Sequence, residues 1–540
     1  MIDIPPTRIT TTRTGGTCEW TLIPDVERVL FPQGNFEPSS LLKRFDHVAL
    51  KTGSHRVVYR LITPGAVFYL KHYKIPNWRS RMQNWVRASR ARLEWEHTCQ
   101  LLDLGFDSCQ PVALGEDRPG SFVRDSYLIT REIPDADQLD EFVEETLPKL
   151  NENKERFFRF ELARQLGQLT ARLHLKGVQH RDYHAGNVLV TFDIASQFLK
   201  LWLIDLHQVS FGNRLTIRQS LRNFALLNSY FSNRGNASDR RRFFHAYWET
   251  LHEANPTSSK KGFVEYKPSL QMIESHCDRE MWKEFLRADQ KWERGNRRLI
   301  ILEGTTSTNS CRGVSELGRA TLEQIRTNPE QVLPVAGPVT LNSKTKPLEG
   351  FTKIVPEEET SGFSVRTAWD WGHAFIRRRL PTPKPLLFVK TSETSWLVTE
   401  RIANAVSFPE YVEQVLTSRP FSARRQVNRQ LAAQLAWRDR CEFRDRAPSL
   451  SNVLIKKETE QVYFLGLGYL EHNNGELEEA DILKTLTAWT EEAMQLPGLT
   501  RTDRLRFLKR YLQGKPVHWK RYWTRIDSEV HSSLPAQSSH

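Results

Sequence analysis

Two carboxylates and one amide in this sequence are spaced as in sites that transfer a phosphoryl group. Asp182 and Asn187 are five positions apart in the stretch His180–Val190, and a second apolar run leads into Asp205. In such sites one carboxylate receives a hydroxyl proton, while the amide and the other carboxylate hold magnesium on the nucleotide phosphates. A His-Arg-Asp tripeptide alone is also compatible with an ordinary surface loop. The step to Asn187 and the two apolar runs favour the phosphotransfer site.

The elements that must position these residues begin with a small lobe of β-strands. Apolar runs bounded by polar turns predict three strands, at Val48 to Leu50, Val57 to Leu61 and Val67 to Lys71. Gly53 and Ser54 lie in the first turn and are candidates to cover the nucleotide phosphates, although protein kinases have three glycines there. Lys71 ends an apolar strand and is the candidate phosphate-binding lysine.

A helix that follows the strands should supply an acidic partner for Lys71. Glu94 is the preferred partner, and Glu96, two positions later, competes with it. Either glutamate could instead be an ordinary solvated helix carboxylate. Further along, the apolar run Tyr127–Ile133 predicts a hinge whose backbone meets the adenine, and Glu132 belongs to that candidate nucleotide-binding segment.

A row of leucines predicts the buried helix that delivers the chain to the catalytic loop. They recur at helical spacing and stop before Gly177. The row comprises Leu162, Leu166, Leu169 and Leu173.

The order of these features resembles the lipopolysaccharide kinase (Kdo/WaaP) family over roughly residues 40 to 300. The resemblance implies a protein-kinase-like fold and ATP-dependent phosphorylation of lipopolysaccharide core sugars. It would make Asp182 the catalytic base and Asn187 with Asp205 the Mg²⁺ ligands, and Lys71 with Glu94 would clamp the phosphates. Leu-His follows Asp205 where protein kinases have Phe-Gly, and no Ala-Pro-Glu follows. These departures favour a sugar or glycolipid acceptor over a protein.

The second half of the chain reads as a degenerate copy of the first. Three segments repeat earlier ones at nearly constant offsets, namely Trp396–Ile402, Asn452–Ile455 and Asp503–Tyr511. Aligned without gaps, Ala447 takes the place of Asp182, Gly466 that of Asp205, and Ala368 that of Glu94. Without those carboxylates the copy lacks a proton acceptor and a main metal ligand, which predicts a pseudokinase. A loop longer by two residues would instead put Asp445 at the base position.

The predicted fold class is α+β, with two tandem protein-kinase-like domains that each have a small β-rich lobe and a larger helical lobe. Composition places a flexible N-terminus at residues 1–25 and a disordered tail at 528–540. Between these ends we predict a kinase domain at 26–303, a linker region at 304–347 and the pseudokinase domain at 348–527.

Bulk properties exclude several classes of protein. Six scattered cysteines predict no disulfide framework or zinc site, and no signal peptide or membrane span is evident, so we expect a cytoplasmic protein. The net charge of +13 implies an acidic partner, but no nucleic-acid motif is present. Basic residues interleaved with tryptophan, from Trp78 to Arg92, predict either contact with an anionic surface of the inner membrane or a solvated helix face.

Three functions remain open from the sequence. The first is a sugar or glycolipid kinase that uses ATP and Mg²⁺ and carries a regulatory or acceptor-binding pseudokinase. The second is a protein kinase, for which the His-Arg-Asp loop is equally suitable. The third is a nucleotide-binding scaffold, against which the complete set of catalytic residues argues.

Overall fold

The computed structural model divides into two compact units, Met1–Met281 and Trp282–His540. It describes residues 11–533, apart from 16, 33, 54, 75–87, 120–122, 233, 254–264, 296–297, 305–308, 357–361, 415, 417–420, 474 and 514–516. Among these residues no helix combines the length and the apolar character needed to cross a membrane.

The small lobe of the N-terminal unit is a seven-stranded antiparallel sheet. Its strands are β1 (Thr11–Gly15), β2 (Cys18–Leu22), β3 (Asp46–Thr52), β4 (Arg56–Ile62), β5 (Val67–Lys74), β6 (Pro111–Asp117) and β7 (Asp125–Arg131). They lie in the order β1-β2-β6-β7-β5-β4-β3. The three predicted strands correspond to β3, β4 and β5.

The N-terminal segment, predicted to be flexible up to residue 25, is part of this sheet. β2 pairs with β6, and its alternate side chains Cys18, Trp20 and Leu22 are buried. A strand with one buried face shows this period of two, and threonine, which is abundant here, suits strands. The prediction is therefore wrong for residues 11–15 and 17–25, because tertiary packing supplies the order that composition did not indicate.

Three helices accompany the sheet within the described part of the chain. They are α1 (Pro24–Leu30), α2 (Pro38–Arg44) and α3 (Arg90–Asp103). The Ser89 hydroxyl caps α3 by accepting a hydrogen bond from the backbone N–H of Arg92, at 3.1 Å. The far end of α3 reaches the large lobe, where the His97 imidazole lies 2.9 Å from the Leu206 carbonyl. α3 thus connects the small lobe to the turn that follows Asp205.

The large lobe contains the catalytic loop between short strands and long helices. Its helices are α4 (Leu139–Glu141), α5 (Glu152–Leu175), α6 (Ile217–Phe231), α7 (Ala237–Glu253) and α8 (Tyr266–Glu293), and its strands are β8 (Ala136–Gln138), β9 (Val178–His180), β10 (Val188–Asp193), β11 (Phe198–Leu203) and β12 (Val209–Phe211). The predicted leucine helix is α5: Leu162, Leu166 and Leu173 are in the core, and Leu169 packs against it. Gly177, with φ of +70°, follows its end.

Strand register brings the candidate residues to one end of the β10–β11 hairpin. Val188 pairs with Leu203, so Asn187 and Asp205 lie just beyond the same end of the ladder. The Ile204 N–H donates to the Asn187 carbonyl at 3.0 Å, which extends the pairing by one step. Residues far apart in sequence therefore meet at one site.

The C-terminal unit also joins a sheet to a helical lobe. Its six-stranded sheet has the order β13-β14-β17-β18-β16-β15, with β13 (Leu299–Leu302), β14 (Ser310–Val314), β15 (Ala336–Leu341), β16 (Leu348–Pro356), β17 (Pro385–Lys390) and β18 (Thr394–Glu400). Short strands follow: β19 (Ala405–Ser407), β20 (Phe443–Asp445), β21 (Val453–Lys456), β22 (Val462–Phe464) and β23 (Leu470–His472). The helices are α9 (Arg319–Thr327), α10 (Pro329–Val332), α11 (Val365–Arg377), α12 (Phe408–Gln414), α13 (Phe421–Arg440), α14 (Glu479–Gln495), α15 (Arg501–Tyr511) and α16 (Trp519–Ser533). The α+β prediction is confirmed, and each of the two units contains a sheet and a helical part.

The stretch 304–347, predicted to be a linker, is largely folded into this second sheet. It contains β14, α9, α10 and β15, and its buried side chains Leu322 and Ile325 are in the core. Glycine, threonine and serine dominate only its first residues, which misled the composition argument. The predicted disordered tail is also helical as far as Ser533, because Val530 continues the buried face of α16.

Candidate active site

Lys71 and Glu94 form a buried ion pair at the base of the small lobe. Lys71 lies on β5 and Glu94 on the first turns of α3, and their side chains are 14% and 3% exposed. The second carboxylate oxygen of Glu94 accepts a hydrogen bond from the Tyr73 hydroxyl. Glu96, the competing candidate, is exposed. The structure thus gives Lys71 the partner that the sequence favoured.

Asp205 is the electrostatic centre of the site. Burial alone would raise its pKa, but the His207 imidazole, Lys71 and Arg56 together hold the pKa of this carboxyl well below its usual range. Burial of Lys71 works against its charge, yet Glu94 and Asp205 raise its pKa overall. Both side chains therefore stay charged in a largely desolvated place, where electrostatic interactions are stronger than in water.

The carboxylate of Asp205 is held from two sides. Its Oδ1 lies 2.7 Å from Nδ1 of His207, and its Oδ2 accepts a hydrogen bond from the Arg56 guanidinium at 2.7 Å. Arg56 begins β4, directly after the turn at Gly53, and its guanidinium also lies over the Tyr73 ring. The backbone of Asp205 is left-handed, with φ of +60°, a conformation that is uncommon for residues other than glycine. With this geometry the carboxylate contacts Arg56 of the small lobe.

Asp182 and Asn187 are linked within one loop. The Asn187 amide donates to the Asp182 carbonyl at 2.8 Å and to its carboxylate at 3.3 Å. The Asp182 carboxylate is 40% exposed, and Nε2 of His184 lies 3.6 Å from it. The Asp182 N–H donates to the buried His180 ring at 3.3 Å, which supports the start of the loop. Asp182 is therefore fixed in place but open to an acceptor molecule.

The donor set fits magnesium. Because the Asn187 nitrogen is directed at Asp182, the amide oxygen remains for a cation, and Asp205 supplies a charged oxygen from the same end of the hairpin. Magnesium prefers such oxygen ligands and keeps several waters. Ligand atoms of Glu94, Asp205 and His207 also lie within 4.8 Å of one another. Glu94 is already bound to Lys71 and Tyr73, so Asn187 and Asp205 are the residues that would hold the ion.

The other predicted nucleotide-binding residues are Gly53, Ser54 and Glu132. Gly53 lies in the turn between β3 and β4, where its N–H donates to the Arg56 carbonyl at 2.9 Å. Ser54 lies outside the described residues. Glu132 follows β7, but its carboxylate binds the Arg60 guanidinium at 2.7 Å and the Tyr69 hydroxyl at 2.9 Å. Its side chain thus ties strands together at the hinge.

Arg56, Tyr73 and His207 belong to the site but were missed by the sequence argument. Arg56 and Asp205 are 149 positions apart, and no local pattern indicates such a contact. Tyr73 continues the alternation of β5 two residues after Lys71, which could have indicated that both face the same side. His207 was noted only as a departure from the protein-kinase sequence.

Most of the predicted basic segment lies outside the described residues, including Arg79, Arg81 and Arg87. Its last residue, Arg92, is on α3 and forms an ion pair with the buried Glu116 at 2.6 Å. Arg92 is thus structural.

The C-terminal unit repeats the backbone of the catalytic loop in the same register. Asp445 pairs with Leu470 as His180 pairs with Val209. Oδ1 of Asp445 accepts from the Ala447 N–H at 3.2 Å, as the His180 ring accepts from the Asp182 N–H. The gap-free alignment therefore describes the backbone, and Asp445 corresponds to His180.

Gly466 takes the place of Asp205. Both residues are left-handed, with φ of +67° and +60°, and each precedes a short 3₁₀ turn. The Leu465 N–H donates to the Asn452 carbonyl, as Ile204 does to Asn187. A Cβ atom at position 466 would lie only 2.6 Å from Cγ of Asn452. The amide of Asn452 therefore rests against the glycine that replaces the carboxylate.

Strand register also identifies the counterpart of Lys71. Lys353 pairs with Leu397 on β18, as Lys71 pairs with Leu128 on β7, and β17 has the same irregularity beside β18 that β6 has beside β7. The Lys353 ammonium lies 3.7 Å from the centroid of the Phe363 ring, a cation–π contact.

The helix that carried Glu94 in the first unit has its counterpart in α11. A left-handed residue follows two positions after the end of each helix, namely Gly105 after α3 and Arg379 after α11. Glu94 precedes Gly105 by 105 − 94 = 11 positions. The residue that precedes Arg379 by the same number, 379 − 368 = 11, is the buried Ala368. The β3–β4 hairpin with its Gly53 turn has no counterpart among the described strands of the second sheet, which ends at β15.

Comparison with known proteins agrees with the N-terminal site. The sequence model of the lipopolysaccharide kinase (Kdo/WaaP) family matches residues 65–254. Lipopolysaccharide core heptose(I) kinase WaaP of Escherichia coli is 25% identical over 183 residues, which are 33% of this chain and 67% of that protein.

Solved structures with detectable similarity include WaaP in complex with acyl carrier protein, at 18% identity and a TM-score of 0.35, covering 48% of this chain and 98% of that one. Glucosamine kinase in complex with glucosamine, ADP and inorganic phosphate has 11% identity and a TM-score of 0.24, with 45% and 92% covered.

The family match spans Lys71, Glu94, Asp182, Asn187 and Asp205. The N-terminal unit of this chain is therefore similar to the lipopolysaccharide kinase (Kdo/WaaP) family over the segment that contains the candidate active site.

Proposed function

We propose that the N-terminal unit transfers the γ-phosphoryl group of ATP to a sugar hydroxyl of a lipopolysaccharide core or a similar glycolipid. The observation that carries this proposal is the Lys71–Glu94 ion pair beside the charged Asp205 and the Asp182–Asn187 loop. The similarity to WaaP supports the class of acceptor.

In the proposed reaction the acceptor oxygen attacks the γ-phosphorus, the bond to the bridging oxygen breaks, and ADP leaves. Asp182 accepts the hydroxyl proton, because it is the exposed carboxylate of the loop. Lys71, held by Glu94, neutralises phosphate charge. Asn187 and Asp205 would hold a magnesium ion, which would supply further neutralisation of the phosphate oxygens.

Transfer of radiolabelled phosphate from ATP tests this function. Wild type and Asp182→Asn are compared on a Kdo-containing glycolipid, on free sugars and on a generic protein. Label on glycolipid or sugar that depends on Asp182 is the expected result. Label confined to protein would make this a protein kinase, and ATP binding without any Asp182-dependent transfer would leave a nucleotide-binding scaffold.

Arg56 is a further candidate nucleotide-binding residue. The Arg56 guanidinium lies 2.7 Å from the Asp205 carboxylate. This is one of the groups that would hold magnesium. With magnesium bound, Asp205 would be shared between the ion and Arg56. Arginine is well suited to phosphate, so Arg56 would then be available to bind the nucleotide phosphates.

We expect Arg56→Ala to weaken binding of Mg–ATP by about tenfold or more, because a hydrogen bond to a charged group contributes about 1.5–3 kcal/mol. Isothermal titration calorimetry measures this binding. The matched control is Arg124→Ala, which removes an ion pair of Asp117 on the same sheet. Unchanged or tighter binding by Arg56→Ala would show that Arg56 only blocks Asp205.

We further propose that the C-terminal unit is a pseudokinase that regulates the first unit or binds its acceptor. Ala447, Gly466 and Ala368 stand where Asp182, Asp205 and Glu94 stand in the first unit, and these three changes remove the proton acceptor, the main metal ligand and the partner of the lysine. Lys353 rests on Phe363 instead of a carboxylate at that position.

The variant Asp445→Asn tests whether the Asp445 carboxylate has a structural role or a catalytic one. Asp445 accepts a hydrogen bond from the buried Arg438 at 2.8 Å. We expect the variant to lower the free energy of unfolding by about 1–3 kcal/mol and to leave kcat within about twofold. Urea unfolding and the transfer assay measure the two effects. A loss of kcat in a protein of unchanged stability would mean that Asp445 takes part in catalysis.

A peripheral position at the inner membrane follows from the proposed acceptor. A glycolipid presents its sugars at a membrane surface, and the net charge of +13 favours an anionic one. Sedimentation with anionic and neutral vesicles tests this localisation.

A further inference from the structure

The helical lobe of the C-terminal unit contains an apolar cavity of about 70 Å³. It lies among α12, α13, α14, α15 and α16, and most of its wall is aliphatic or aromatic. Representative lining residues are Val427, Leu431, Leu486, Ala493 and Ile526. A single water needs roughly 10–15 Å³, so the cavity is large enough for several carbon atoms. An apolar cavity of this size favours an apolar occupant over water.

The polar residues of the wall are Asn428, Thr490, Asp503 and Arg504, and three of them already have partners. The Thr490 hydroxyl donates to the Leu486 carbonyl at 2.7 Å, and the Asn428 amide donates to the Asp503 carbonyl at 2.8 Å. The Asp503 carboxylate accepts from the hydroxyl of Thr500 at 2.7 Å as part of a capping box. None of these three side chains requires a ligand.

Arg504 differs from these three residues because one of its buried N–H groups lacks a hydrogen-bond partner among the described residues. Its buried Nε–H has no hydrogen-bond partner within the described part of the chain, and the same is true of the indole N–H of Trp489, which is 5% exposed and also lines the cavity. Burial lowers the pKa of Arg504, and Arg501 adds to this effect against the attraction of Asp527 and Asp503. Two buried N–H donors without acceptors are costly. An anion within reach of both would supply the missing acceptors.

We propose that this cavity binds a fatty-acid carboxylate. Its aliphatic chain fills the apolar part, and its head group accepts hydrogen bonds from Arg504 and Trp489. The cavity volume corresponds to roughly five to seven water-sized spheres, which suits a short aliphatic chain. The site does not depend on phosphotransfer by the first unit.

Titration calorimetry of the full-length protein with octanoate and with 1-octanol tests this site. We expect Arg504→Gln to weaken octanoate binding by about ten- to hundredfold and to leave octanol binding within about twofold. The matched control is Arg510→Gln, on the same helix but outside the cavity wall. Ala493→Phe fills the cavity, so it should abolish binding of both ligands. Circular dichroism checks that each variant is folded.

Four results would overturn the proposal. They are the absence of octanoate binding to wild type, equal octanoate affinity of Arg504→Gln and wild type, an equal loss in Arg510→Gln, and retained binding in folded Ala493→Phe. The first excludes a fatty-acid site, the second and third exclude a specific role for Arg504, and the fourth places the ligand elsewhere.

Discussion

Asp182→Asn is expected to lower kcat for phosphoryl transfer by about 10²–10⁴-fold, the usual contribution of a general base. The amide has nearly the shape of the carboxylate, so the Asn187 contacts at 2.8 and 3.3 Å can persist in modified form. What is lost is a group that can accept the acceptor's proton. ATP affinity should stay near wild type, because the role proposed for Asp182 is to accept the acceptor's proton and not to bind the nucleotide.

Asp193→Asn is the matched control for this prediction. Asp193 is an exposed aspartate of the same unit, where it accepts hydrogen bonds in the turn between β10 and β11. The Asp193→Asn variant should transfer phosphate with the kcat of wild type. Single-turnover kinetics separate chemistry from product release, and a kcat within threefold of wild type for Asp182→Asn would exclude Asp182 as the base.

Asp205→Asn is expected to reduce transfer by at least about 10²-fold, comparable to the loss of one strong electrostatic stabiliser in a desolvated site. The loss has two causes: the magnesium ion loses a charged ligand, and Lys71 and Arg56 lose a shared anion. Unlike Asp182→Asn, this variant should also lose the magnesium dependence of ATP binding. Titration of ATP with and without Mg²⁺ measures that dependence.

The control for Asp205 is Asp107→Asn. Asp107 is 43% exposed and pairs with Lys200 at 2.7 Å, away from the cleft carboxylates. The Asp107→Asn variant should bind Mg–ATP with the affinity of wild type. If Asp205→Asn keeps a wild-type magnesium dependence, the ion is held elsewhere, and the group formed by Glu94 and His207 becomes the alternative.

The parts of the site that could be predicted from sequence are those set by local spacing. Asp182 and Asn187 share one loop, and Asp205 follows a strand, so each element could be predicted locally. Lys71 lies on a strand whose apolar pattern is clear. These residues meet because hairpin register is fixed by the alternation of buried side chains.

The parts that could not be predicted depend on contacts between distant segments. The Arg56–Asp205 ion pair spans 149 positions and needs the fold to exist. Residues 11–25 and 304–347 were misjudged for a related reason, since their order comes from packing against strands far along the chain. Composition reports the tendency of a segment in isolation and does not include the sheet edge that receives it.

The contact between Gly466 and Asn452 has a consequence for restoring a metal site in the second unit. A carboxylate at position 466 needs a Cβ in space that the Asn452 amide now occupies, so a single reversion would meet a steric conflict. Recovery of a magnesium site would also require changes at Ala447 and Ala368, which lie on different elements. Under the proposed pseudokinase assignment, restoring a magnesium site in this unit would therefore require coordinated changes at several positions instead of a single substitution.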